Sequence, residues 1–233
     1  MHLFYTPDIL LSGEMPEEES MHAVKVLRLT EGDEVCLIDG HGNFYKAHIT
    51  RAHHKRCAVE IDEKIPDQSH WPYRVHIAVA PTKNIDRIEW FAEKSTEIGV
   101  NALTMLKCRY SERKDVKVER LNKILISAMK QSLKASLPEL EGMTDFKEFV
   151  SRPFIGQKFI AHCYKNSPRR LLKELYTPGS DMLILIGPEG DFSEEEVALA
   201  IENGFQPVSL GNSRLRTETA ALVACHTIHV INQ

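Results

Sequence analysis

Two loops in the last fifty residues carry residue types that could hold a ligand and place charge against it. The first, Gly187-Pro188-Glu189-Gly190-Asp191-Phe192-Ser193, follows the most apolar run of the chain, Met182 to Ile186. Its glycines let main chain approach a ligand closely, and Pro188 stiffens the turn. An ordinary strand-to-helix turn has the same composition and stays open at this point. A nucleotide phosphate is the obvious guest, but the charges oppose it. The following segment begins Ser193-Glu194-Glu195-Glu196, a capping box whose carboxylates already answer the positive end of a helix. Neither a Walker lysine nor a G-x-G-x-x-G run is present. A neutral or cationic ligand fits better, and S-adenosylmethionine, a sulfonium without phosphate, is one.

The second loop is Leu210-Gly211-Asn212-Ser213-Arg214-Leu215-Arg216-Thr217-Glu218-Thr219-Ala220. Gly211 ends a strand, and Thr217 or Thr219 can cap the last helix. Arg214 and Arg216 stand beside that cap, where cations are unfavourable to the helix dipole. Such a placement points to function, although Glu218 pairing with either arginine would also explain it.

The elements that must position these loops follow from periodicity. Up to about residue 65 the chain reads as short strands: Glu34 to Asp39, Asn43 to Arg51, and the alternating Cys57-Val59-Ile61, with a turn at Gly40 to Asn43 and a short helix over Ser20 to Leu29. That pattern suggests a small barrel over residues 1–68. Pro66 to Pro72, with two prolines, is the linker candidate. Residues 72–233 then alternate strands with helices: strands at Val75 to Ala80, Ala102 to Leu106, Lys158 to His162, Leu183 to Ile186 and Pro207 to Leu210, and helices at Ile85 to Ile98, Val118 to Leu133, after Ser167-Pro168, from Ser193 to Asn203, and Thr217 to Ile231. Gly99 sits where a left-handed residue closes a helix. Alternation of this kind predicts an α/β domain, a parallel sheet with helices on both faces.

Composition narrows the class. No apolar run approaches the roughly 20 residues needed to span a bilayer, and the N-terminus does not read as a secretory signal. Five scattered cysteines without C-x-x-C spacing argue against a disulfide framework or zinc and for a reducing cytoplasm. Of eleven histidines, His53-His54 are adjacent and would point to opposite sides of a strand. His226 and His229 lack a carboxylate to complete a ligand set, so no metal is expected. The net charge of −4 hides a division: residues 1–70 hold 7 Lys/Arg against 13 Asp/Glu, while residues 71–233 hold 22 against 20. Within the latter, residues 107–134 carry nine basic and three acidic side chains, a stripe able to neutralise phosphates or simply to be solvated.

Both loops and three further segments resemble the RsmE family of 16S ribosomal RNA uridine-N3 methyltransferases, within the SPOUT superfamily. The family's G-P-E-G-G-[FL]-S is similar to Gly187–Ser193, and its L-G-x-R-I-L-R-x-E-T-A to Leu210–Ala220, with Leu215-Arg216-Thr217-Glu218-Thr219-Ala220 intact. Its E-K-x-T-E-L-G-V resembles Glu93-Lys94-Ser95-Thr96-Glu97-Ile98-Gly99-Val100. Its Q-S-x-R before a proline resembles Gln131-Ser132-Leu133-Lys134, and its H-x-x-x-V-L-R-[LM] resembles His22 to Leu29. Three positions depart: Asp191 replaces a glycine and adds a carboxylate near the cofactor, Ser213-Arg214 replaces Arg-Ile, and Lys134 replaces an arginine, losing bidentate geometry.

The resemblance implies an N-terminal PUA-like β-barrel for RNA and a C-terminal SPOUT α/β domain with a trefoil knot. It also implies S-adenosyl-L-methionine as cofactor, a homodimer, and ribosomal RNA of the small subunit as partner. The implied cofactor residues are Leu185, Ile186, Gly187, Pro188, Glu189, Gly190, Leu210, Gly211, Leu215, Thr217, Thr219 and Ala220. Arg216 would supply charge to a uracil anion, and Glu218 would orient Arg216 or accept the N3 proton. The RNA candidates are Arg28, Lys83, Arg109, Arg113, Lys114, Lys117, Lys130, Lys134 and Arg214. Two rivals stay open: another SPOUT methyltransferase, acting on ribose 2′-hydroxyl or on transfer RNA, and a non-catalytic RNA-binding protein that kept the fold.

Overall fold

The computed structural model describes residues 2–68, 71–164 and 170–233, which cluster into two compact units. The first unit is Met1–His70 with Ile126–Leu137, and the second is Trp71–Leu125 with Pro138–Gln233.

In the first unit, β1 (Leu3–Tyr5), β2 (Glu34–Ile38), β3 (Asn43–Arg51) and β4 (Ala58–Pro66) form one sheet in that order. β1 runs parallel to β2, and the remaining pairs are antiparallel. Alternation along β3 buries Tyr45, Ala47 and Ile49 against Phe4, Leu37 and Ile9. Two short helices, α1 (Ile9–Ser12) and α2 (Glu17–Met21), complete this part of the unit. The helix expected over Ser20 to Leu29 starts earlier, behind Pro16 and with three glutamates in its first turn, where the helix dipole favours them. It then widens into a π turn over His22–Val26, the Leu27 N–H bonding the His22 carbonyl at 3.0 Å. His53 and His54 lie in the loop between β3 and β4 rather than on a strand. Part of the expected linker is held in place: the Asp67 N–H bonds the Gly42 carbonyl at 2.9 Å, and its carboxylate accepts the Ala135 N–H at 3.0 Å. Glu19, nearly buried, accepts both the Tyr5 N–H at 3.1 Å and the Lys130 ammonium at 2.5 Å.

In the second unit the elements follow as β5 (Val75–Val79), α3 (Ile85–Ile98), β6 (Ala102–Lys107), α4 (Val118–Gln131), β7 (Glu139–Asp145), α5 (Phe146–Val150), β8 (Gln157–Ala161), β9 (Arg170–Leu171), α6 (Leu172–Leu175), β10 (Met182–Ile186), α7 (Glu194–Glu202), β11 (Gln206–Ser209) and α8 (Thr217–Ile231). The far end of α4 clusters with the first unit. Seven strands make one sheet of order β7-β6-β5-β10-β8-β11-β9, and every pairing is parallel. All five residues of β10 are buried, as a strand covered on both faces requires. β7 and α5 escape the sequence reading because Glu139-Leu140-Glu141-Gly142 is a polar edge with no clear alternation. The helix start expected at Ser167-Pro168 lies outside the described residues.

Two buried details explain sequence features. The Trp71 ring lies over Gly99, whose φ of +130° and lack of a Cβ allow that contact; a Cβ there would meet the ring at 2.1 Å. His229, weighed as a metal ligand, instead bonds Tyr73 Oη at 2.9 Å and the Gly99 carbonyl at 3.2 Å. On the sheet, His76 Nε2 bonds Thr104 Oγ1 at 2.9 Å, and the same hydroxyl donates to Glu141 at 3.1 Å. Burial holds the His76 pKa down to about 4, against the upward pull of Glu141 and Glu139.

A histidine depressed in this way is neutral in the fold and readily protonated once unfolded. Its stabilising contribution is therefore complete above about pH 6.5 and is lost as pH falls toward 4. Chemical denaturation between pH 7 and pH 4.5 is expected to show a loss on the order of 1–3 kcal/mol that a His76→Asn variant lacks.

Candidate active site

In a parallel sheet every strand ends on the same edge, so the loops after β5, β6, β8, β10 and β11 emerge together. The order β6-β5-β10-β8-β11 sets them side by side. The two loops singled out by sequence follow β10 and β11, and the structure joins them. Thr217 Oγ1 donates to the Gly187 carbonyl at 3.0 Å, with both groups buried. That bond corrects the capping expectation: neither Thr217 nor Thr219 caps α8, and Arg216 occupies the N-cap position with no side-chain cap bond. Leu185, Ile186, Gly187 and Pro188 are buried, Glu189 and Gly190 are exposed, and Leu210, Leu215, Thr219 and Ala220 are intermediate.

Glu218 sits in the first turn of α8 with 6% of its surface exposed, and its Oε2 has no hydrogen-bond partner. A buried carboxylate oxygen without a donor is costly, on the order of 1–3 kcal/mol or more for a charged group. Among the described residues Glu218 pairs with neither Arg214 nor Arg216, which are exposed and form no ion pair. Two guanidinium groups without an ion pair among the described residues thus precede a buried acid in the chain, at the start of α8.

Further contacts fix the loops to their neighbours. Gly187 is packed so tightly that a Cβ would approach the Phe192 ring and its main-chain nitrogen at 3.1–3.2 Å. Asp191 adopts φ +67°, a left-handed conformation that aspartate tolerates better than most residues. Its carboxylate accepts N–H groups from Phe192 at 2.8 Å and from Cys163 at 2.7 Å, tying the loop after β8 to the loop after β10. The expected extra carboxylate is therefore occupied by main chain. Glu189 accepts the Lys83 N–H at 3.0 Å from the loop after β5. Arg113, from the loop after β6, donates to the carbonyls of Thr82 at 3.0 Å and Lys83 at 2.6 Å. The capping box is present as expected, and Glu196 uses its second oxygen to receive the Arg109 N–H at 2.8 Å.

The basic stripe separates by environment. Lys114 and Lys117 are exposed and form no ion pair among the described residues, whereas Arg120 pairs with Glu89 at 2.6 Å and Lys83 with Glu112 at 2.9 Å. Arg109 lies 3.5 Å from Glu195. Lys130 is committed to Glu19 within the first unit, and Lys134 is half-buried. Arg28 is exposed directly after the π turn at φ +58°, unusual for a non-glycine residue. Charge counting could not find the clamp made by Arg113 or the Asp191 bridge to Cys163, because both act on main-chain groups distant in sequence.

The donor set suits a ligand without phosphate: carboxylates and main-chain groups line the joined loops, and the start of α7 is already answered by its own acids. No helix among the described residues is long and apolar enough to cross a membrane. Residues 69–229 match a family model described as an RNA methyltransferase domain, and residues 16–62 match an RNA methyltransferase PUA domain. Over 213 residues the chain is 32% identical to ribosomal RNA small subunit methyltransferase E of Synechocystis, covering 89% of this chain and 69% of that one. The crystal structure of a probable rRNA-methyltransferase from Porphyromonas gingivalis superposes with a TM-score of 0.93 at 45% identity, over 100% of this chain and 98% of the other. That of ribosomal RNA small subunit methyltransferase E from Neisseria gonorrhoeae, bound to S-adenosyl methionine, gives 0.85 at 28% identity, over 99% and 97%. With a match from end to end in sequence and fold, the chain belongs to the ribosomal RNA small subunit methyltransferase E family.

Proposed function

We propose that this protein transfers a methyl group from S-adenosylmethionine to N3 of a specific uridine in 16S ribosomal RNA. The observation that carries this reading is the intact Leu215–Ala220 run, folded so that Thr217 engages the cofactor-loop carbonyl of Gly187 and Glu218 keeps a buried, unpartnered oxygen. The solved relative from Neisseria gonorrhoeae, bound to S-adenosyl methionine, supports the cofactor. Leu185 to Gly190 and Leu210 to Leu215 would hold its adenine and ribose through main chain, with Thr217, Thr219 and Ala220 closing the wall. When bound, the cofactor supplies an electrophilic methyl carbon on a sulfonium.

The chain's own residues must do the rest. N3 of uridine keeps its proton at neutral pH and lies on the pairing edge, so the base has to be unstacked and its developing anion stabilised. Arg216, unpaired at the positive end of α8, supplies charge to that anion. Glu218, in the first turn of α8 with an unpartnered carboxylate oxygen, accepts the proton. The absence of a Glu218–Arg216 pair favours this role over orienting Arg216. Loop contacts through Arg113, Glu189 and Asp191 keep these groups in register for in-line transfer.

Lys114, Lys117 and Arg214 contact phosphates in this reading, joined by Arg28 from the first unit. Arg109, Arg113, Lys83, Lys130 and Lys134 contribute less, since each has an intramolecular partner or is partly buried. The same reading takes the first unit as a PUA-like barrel that recognises RNA shape, the second as a SPOUT domain with a trefoil knot, and the working form as a cytoplasmic homodimer.

Nucleoside analysis of 16S RNA from a strain lacking this protein is expected to lose one 3-methyluridine, restored by the wild-type gene. Loss of a 2′-O-methyl nucleoside or of a transfer RNA modification instead would overturn the assignment. An Arg216→Ala variant is expected to bind S-adenosylmethionine within a few fold of wild type by calorimetry while kcat drops by about 100-fold or more. In Glu218→Gln, the rise of kcat with pH is expected to flatten, as removal of a general base requires. Reversing charge at Lys114 and Lys117 together is expected to weaken RNA binding and to lower the salt slope by about 2, measured from 50 to 200 mM salt.

A further inference from the structure

Tyr110 occupies an unusual place. It follows β6 in the loop that also holds Arg109, Arg113 and Lys114, and the residue is 49% exposed. Its Cβ packs so closely on Gly190 that a Cβ on that glycine would come within 3.1 Å. Its hydroxyl makes no hydrogen bond among the described residues, so the ring is not held by its polar end. The loop beneath it is rigidly fastened, by Arg113 to the Thr82 and Lys83 carbonyls and by the Arg109 N–H to Glu196. The Arg109 guanidinium lies 5.9 Å from the ring centre, at cation–π distance.

An exposed aromatic on a fixed loop, beside a proposed methyl-donor loop and on a basic segment whose Lys114 is exposed and forms no ion pair among the described residues, has the features of a single-strand nucleic-acid platform. Every base offers a π-face, and the surrounding charge attracts the phosphate chain. We propose that Tyr110 stacks on an RNA base at the entrance to the active site and so holds the target nucleotide out of its helix; this rests on the RNA methyltransferase reading above. The cofactor's adenine is the weaker candidate for the ring. It would lie against main chain of the loops after β10 and β11, whereas Tyr110 follows β6, meets Gly190 through its Cβ and is half exposed to solvent. Tyr110 does no proton transfer in this scheme: it is a positioning residue, and the phenyl ring rather than the hydroxyl does the holding.

The test uses full-length protein, a ribosomal RNA fragment containing the target helix, and three variants: Tyr110→Ala, Tyr110→Phe and Tyr110→Trp. RNA affinity is read by fluorescence anisotropy, KM and kcat by methyl transfer, and cofactor affinity by calorimetry. The expected result for Tyr110→Ala is a loss of RNA affinity and a rise in RNA KM, each on the order of tenfold or more, with cofactor affinity unchanged. The slope of binding against salt should stay as in wild type, since no phosphate contact is removed. Phe and Trp should restore binding, because both keep the stacking face. Unchanged RNA affinity in Tyr110→Ala, or a Phe variant as weak as Ala, overturns the proposal. So does a parallel loss of cofactor affinity, which would make Tyr110 part of the cofactor wall. Anisotropy needs no turnover, so the two readings fail separately. A wild-type protein that binds the fragment but methylates another position removes the uridine-N3 assignment and leaves stacking standing.

Discussion

A parallel strand has two unlike ends, and seven of them side by side place every carboxyl end along one edge. That constraint governs the second unit of this protein. Loops that are distant in sequence, after β5, β6, β8, β10 and β11, have to emerge as neighbours, and anything they bind must be bound there. What the loops then need is fastening, because main chain without regular pairing is free to move. The structure supplies it with a few bonds from side chain to main chain: Thr217 to the Gly187 carbonyl, Glu189 to the Lys83 N–H, Arg113 to two carbonyls, and Asp191 to the Cys163 N–H. Each spans a long sequence separation, and together they turn five loops into one surface.

The charges divide along the same line. Acids at the site are mostly engaged: Glu196 in its capping box and on Arg109, Glu189 on Lys83, Asp191 on two N–H groups. Glu218 is the exception, with one buried oxygen left unpartnered. Among cations the reverse holds, since Arg214, Arg216, Lys114 and Lys117 face solvent without an ion pair among the described residues. Acids are thus satisfied internally while these cations are left without an internal counter-charge, although the chain carries a net charge of −4.

Local strain appears where the family-like motifs lie. Arg28 follows a π turn at positive φ, and Asp191 takes a left-handed conformation where the family pattern has glycine. In the second case the substitution is accommodated because aspartate adopts that conformation more readily than most residues, and its carboxylate then recruits a neighbouring loop. Gly99 shows the opposite situation: with φ of +130° and the Trp71 ring directly above it, no side chain can be placed there.

Much of this was legible in the chain itself. The last helix was delimited at Thr217 and Ile231, the capping box at Ser193 was identifiable, and β5, β6, β8, β10 and β11 were placed to within a residue or two, because buried strands and amphipathic helices write their period into the sequence. The Gly187–Ser193 and Leu210–Ala220 loops stood out because glycine, proline and arginine in such positions have few other uses. The polar edge strand β7 and the two-residue β9 were not legible, since neither has an apolar period to display. Nor was the grouping of Ile126–Leu137 with the first unit, which depends on Lys130 meeting Glu19 and on Asp67 receiving the Ala135 N–H. Periodicity records how each segment faces its own surroundings. Which donor meets which carbonyl a hundred residues away is decided only when the sheet order brings them together, so Thr217 became a loop clasp rather than a helix cap, and Lys130 an internal ion pair rather than a free cation.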